Sequence, residues 1–140
     1  SLPDNAVVFS ASLKAKQYSL MGHPFAVLGT LWVDVSTNFN ATKRELGPLD
    51  FQAVPGSLNP GLAHAGFFNS IPLIDSGKWF TADVTDGTAY VSLFGITQYR
   101  LSFALDDDNN KKADTINFYS GNSPIVNRPV LTVIYFIPAP

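Results

Sequence analysis

From position 7 to position 16 apolar and polar side chains alternate, with Val7, Phe9, Ala11, Leu13 and Ala15 on one parity and Val8, Ser10, Ser12, Lys14 and Lys16 on the other. Successive side chains of a strand point to opposite faces, so this pattern predicts a strand with one buried face. A helix would need apolar residues three and four apart. No window keeps that spacing for three turns, and prolines or glycines interrupt most long stretches. Leu31, Val33 and Val35 alternate with Trp32 and Asp34 in the same way, and further strands are predicted over 79–84, 89–94, 99–105, 115–119 and 130–137. Short strands with irregular connections predict an all-β fold, a two-sheet antiparallel β-sandwich of jelly-roll or Greek-key type.

The 140 residues, 46% of them hydrophobic, suit a single domain over 1–140 with one core. Prolines and glycines at Pro48, Pro55, Gly56, Pro60, Gly61, Gly66 and Pro72 exclude long regular elements from 38–77. That stretch is predicted to be an ordered, irregular middle region, anchored by the apolar pieces 49–53 and 65–68, and is one place where function is expected to lie. Charged residues make up only 14%, the formal charge is -2, and the nine Lys and Arg are scattered, which argues against a nucleic-acid partner. The longest apolar run, 130–137, is far short of the roughly 20 residues that cross a bilayer, so no membrane insertion is expected. With no cysteine there are no disulfides, thiol nucleophiles or thiolate metal sites, a composition compatible with an exported prokaryotic protein. The chain opens on Ser1 without a signal-like segment, which fits a leader already removed.

Between positions 97 and 137 the pattern becomes specific. Tyr99, Leu101, Phe103 and Leu105 form a large apolar parity that runs into Asp106, Asp107, Asp108, Asn109 and Asn110; the chain resumes with Ile116 and Phe118, turns at Ser120, Gly121 and Asn122, and returns after Arg128 and Pro129. The words QYRLSFALDDDNN from Gln98, FYSGN from Phe118 and RPVLTVIY from Arg128 resemble the exported β-sandwich domains called DNRLRE domains, related to carbohydrate-binding module family ninety-six and to disaggregatase-like surface repeats. LPDNAVV from Leu2 and ASLKAK from Ala11 look like the same family's opening strand, so the resemblance covers both ends of the chain. It implies a non-catalytic module of secreted or cell-surface proteins, some of which bind acidic or neutral polysaccharides. Ser102 departs from the basic residue usual there, which puts one charge contact in doubt. The family also has strands upstream of the segment matched here; their counterparts are expected to have been cleaved, omitted, or supplied by another chain as in donor-strand complementation.

Candidate site residues follow from side-chain chemistry. Aromatic rings pack on the C–H faces of sugars, and Trp32, which alternates with Leu31 and Val33, is the first candidate, with Trp79 beside it. Arg100 lies on the outward parity of its strand and suits either an acidic glycan or a cross-strand ion pair. Asp106, Asp108, Asn110 and Asp114 carry oxygens at the alternate spacing of calcium loops, although Lys111 stands where the turn glycine belongs; the other reading is a hairpin turn held by Asp and Asn. Asn40 opens an Asn-Ala-Thr glycosylation sequon. His23 and His64 lack a third ligand at metal spacing and are expected in surface loops. No Gly-x-Ser-x-Gly elbow occurs; Asp83 with Asp86 could in principle hydrolyse a glycoside, but the spacing of the two carboxyls is not given by sequence, so a hydrolase is a minor third reading and catalysis is not the expectation. Two functions remain in view: adhesion through polysaccharide, and a structural subunit of a filament or surface layer that binds copies of itself by strand exchange.

Overall fold

The computed structural model describes residues 2–36, 62–69 and 78–139. Along these run β1 (Val7–Met21), a single helical turn α1 (Pro24–Val27), β2 (Leu31–Ser36), β3 (Leu62–Phe68), β4 (Trp79–Asp83), β5 (Gln98–Phe103), β6 (Thr115–Phe118) and β7 (Val130–Phe136), with short 3-10 turns at Thr85–Tyr90 and Ile125–Asn127. All strand pairs are antiparallel and fall into two sheets that pack face to face, which is the sandwich expected from the alternation.

β1 organises the first sheet. Ser12, Leu13 and Lys14 pair with β4 on one edge and with β7 on the other; β6 pairs further along, through Gln17–Met21, so β6 and β7 lie end to end on the same edge. The second sheet has the order β3-β2-β5. Ala11 and Ala15 of β1 are small inward residues, which leaves room for bulky side chains from neighbouring strands of both sheets. Phe80 of β4 is the centre of that filling. Its ring stacks on Phe25 at 5.6 Å and meets Phe68 of β3 and Phe118 of β6 edge-on at 6.2 and 5.7 Å. Val33 and Val35 of β2, both fully buried, complete the layer. Truncation of one such phenylalanine typically costs about 3–5 kcal/mol, because a cavity adds to the lost transfer energy.

Four sequence expectations are corrected. Residues 89–94 do not form a strand; they begin within the 3-10 turn and continue irregularly, because Gly87 and Gly95 bracket a segment with no partner strand. Residues 65–68 are more than an anchor, since β3 crosses the region expected to be irregular; the pieces at 49–53 and Asn40 lie outside the described residues. His64 belongs to β3 and not to a loop. Phe9, expected to face inward, is 70% exposed, because a register shift between Val8 and Ser10 takes it out of the β1–β7 ladder.

Candidate functional site

The outer face of β3-β2-β5 carries two cross-strand rows. Trp32 stands opposite Phe67 of β3 and Ser102 of β5; Asp34 stands opposite His64 and Arg100. In a regular strand His64 and Phe67, three residues apart, would face opposite sides. A β-bulge lies between them, since Val33 pairs with Gly66 and Asp34 with His64, leaving Ala65 as the extra residue. The bulge resets the parity, so His64 and Phe67 share the outer face while Ala65 and Phe68 both enter the core.

Asp34 is fully buried although its parity is outward, and its carboxylate is enclosed by donors. Arg100 reaches Oδ2 through Nε at 3.0 Å and Nη2 at 2.6 Å, the Ser102 hydroxyl donates to Oδ2 at 3.3 Å, and His64 Nδ1 lies 2.6 Å from Oδ1. A carboxylate only accepts, so Nδ1 of His64 carries the proton. That bond fixes the imidazole plane, which stacks on Trp32 with centroids 4.5 Å apart and 29° between planes. Phe67 meets the indole edge-on at 5.8 Å. Three rings are thereby locked into one wall, with His64 and Phe67 each about half exposed.

The opposite wall comes from the other sheet. β3 and β4 are neighbouring edges at one side of the sandwich, and β3 packs on β4 and on the 3-10 turn that follows it. Gly66 makes this approach possible, because a Cβ there would collide with the Asp83 carbonyl oxygen. Together Trp32, His64, Phe67, Asp83, Thr85 and Asp86 line a cleft of about 280 Å³. Asp83 is held below the ordinary carboxylate range by the Thr85 hydroxyl and by the Thr85 amide, which donates to Oδ1 at 2.9 Å. On the far side of Phe67 a second, open depression of about 300 Å³ is lined by Phe25, Gly29, Thr30, Phe68 and Asn69. Phe67 is the ridge common to both.

The other candidates lie elsewhere. Arg100 has the outward parity but its side chain is 8% exposed and committed to Asp34, so the structure removes it from the ligand-facing set and bears out the cross-strand pair. Trp79 is on the outer face of the opposite sheet, far from a shared site with Trp32. There Lys16 Nζ sits 5.9 Å from its ring and 6.0 Å from that of Tyr119, and donates to Asn127 Oδ1 at 2.8 Å. In the acidic loop Asp107 and Asp108 accept from the amides two residues on, Asp108 also accepts from the Asn110 side chain, and Asn110 accepts from the Lys112 amide at 2.6 Å. Asp114 turns away to accept from the His23 amide at 2.6 Å. These bonds close the loop's own turns. Among the described residues no three His, Asp or Glu side chains converge as metal ligands. The sequence pointed to Trp32, and to Phe67 within a wider set of aromatic residues, but missed His64; the one available signal for the bulge that places it was Gly66, an isolated glycine in an apolar run.

No family model, curated protein or solved structure matches the chain.

Proposed function

We propose that the chain is a non-enzymatic adhesion module of the cell surface or extracellular space that binds polysaccharide in the Trp32 cleft. The observation that carries this reading is the aromatic wall of Trp32, His64 and Phe67 facing polar groups of Asp83, Thr85 and Asp86. Saccharides are amphipathic in the same way, with C–H faces that pack on rings and hydroxyls that need hydrogen-bond partners. The cleft volume is near the lower end of small-molecule sites, roughly 300–1,000 Å³, and suits one sugar unit. The depression beyond Phe67 gives a neighbouring unit a place to lie. Resemblance to exported surface domains supports the same reading. A glycan array tests it: the protein should retain a defined set of oligosaccharides, and Trp32→Ala should lose them while keeping its fold. An array without hits would contradict the proposal.

A second reading, the structural subunit, is favoured by β7. Its outer edge has no partner strand among the described residues, and Val130, Ile134, Tyr135 and Phe136 are each 41–57% exposed. With Val7 and Phe9 beside them, both faces of this edge are apolar and none of these side chains is charged. Native proteins protect such edges, so a strand from a neighbouring subunit is the natural complement.

A further inference from the structure

The charges around the cleft narrow the ligand class, given the saccharide reading above. Among the described residues its lining holds two carboxylates, Asp83 and Asp86, both exposed, and no lysine or arginine. The guanidinium of Arg100 lies behind the wall and is paired with the buried Asp34. Asp83 is anchored by Thr85, whose own hydroxyl accepts from the Ala11 amide at 3.3 Å, so the acid stands on a fixed turn. On the other wall the Nε2 atom of His64 has no partner among the described residues, while Nδ1 is committed to Asp34. With Nδ1 as the protonated nitrogen, a neutral His64 offers Nε2 as an acceptor. Aromatic ring faces also attract cations. Rings, carboxylates and an imidazole acceptor around one small cleft all favour a ligand that brings positive charge and hydrogen-bond donors. An anionic sugar would meet repulsion from both acids.

We propose that the cleft selects amino sugars, in which a protonated amine lies between Asp83 and Asp86 while the pyranose face packs on Trp32. The test is calorimetric titration near neutral pH, where a fraction of the sugar amine is protonated and an ordinary imidazole is mainly neutral, with four probes: a glucosamine tetramer, the N-acetylglucosamine tetramer, an oligogalacturonate and a tetralysine peptide. A charge-assisted hydrogen bond distinguishes the first two, so the glucosamine tetramer should bind at least about tenfold more tightly than its acetylated form at low salt. The gap should shrink at high salt. Asp86→Asn, a nearly isosteric change at an exposed residue of the 3-10 turn, should close most of the gap by weakening the glucosamine tetramer more than its acetylated form; Asp83→Asn should act in the same direction. Equal or tighter binding of the acetylated tetramer or the oligogalacturonate would overturn the amino-sugar assignment and leave the saccharide reading standing. Tetralysine binding as tightly as the glucosamine tetramer would overturn it in favour of a peptide amine. No binding by any probe to the folded protein would overturn this assignment, and the absence of hits on the wider array is what would overturn the saccharide reading.

Discussion

The buried carboxylate of Asp34 shows how one residue links stability to the cleft. Its charge is tolerated because Arg100, Ser102 and His64 all bond to it, and the last of these bonds sets the ring that stacks on Trp32. Arg100→Met should therefore destabilise the fold by about 3–5 kcal/mol, the usual consequence of leaving a buried charge unpaired, as read from urea unfolding. Tyr99 makes the opposite case. Its hydroxyl is buried without a hydrogen-bond partner among the described residues, and burial raises its pKa above the ordinary 10.0. A raised pKa means that the folded state favours the neutral phenol, so its contribution is present below about pH 10 and is lost as pH rises through the folded value. Tyr99→Phe is expected to be neutral or stabilising by up to about 1 kcal/mol at pH 7, and to unfold less readily than the parent above pH 10. Matched denaturation curves at the two pH values check both statements.

At the scale of elements, the strands were legible wherever a single parity held. β2, β5 and the middle of β1 alternate cleanly in sequence and form strands, and the outward parity of Arg100 was readable, although its partner was not; in β5 burial does not follow parity, since Leu101 is 37% exposed and Arg100 is buried. Two strands hid part of their meaning behind register shifts. In β3 the bulge at Ala65 puts His64 and Phe67 on one face, a change of parity that periodicity counts as irregularity. In β1 the shift beside Phe9 exposes a side chain that alternation assigns to the core. The partner of Asp34 on β3 was illegible for a further reason: it comes from a strand 30 residues away, and pairing across such a distance leaves no local pattern. Gly66→Ala follows from the bulge. The added methyl must displace the Asp83 backbone, which should destabilise by about 1–3 kcal/mol and weaken saccharide binding as well, because it moves the two walls apart. A thermal shift assay and a binding titration on the same variant separate the two effects.

At the scale of the molecule, the sandwich presents two surfaces of different character. The side where β3 meets β4 holds the cleft, and the β1–β7 edge presents uncharged apolar side chains. Assembly through that edge predicts that Ile134→Lys, a charge on the exposed outward parity of β7, leaves the cleft intact but turns any oligomer or filament into monomer on size exclusion. The proposed adhesion and the proposed assembly are then separable by mutation. Trp32 and Trp79, placed on outer faces of opposite sheets, also allow the central claim to be read optically, since these are the two tryptophans of the chain. The decisive measurement is tryptophan fluorescence titrated with the oligosaccharide that the array selects, on the parent, Trp32→Phe and Trp79→Phe proteins. Binding in the Trp32 cleft predicts a saturable change in the parent and in Trp79→Phe, and none in Trp32→Phe. A change that survives in Trp32→Phe and disappears in Trp79→Phe would place the ligand on the opposite face and contradict the account.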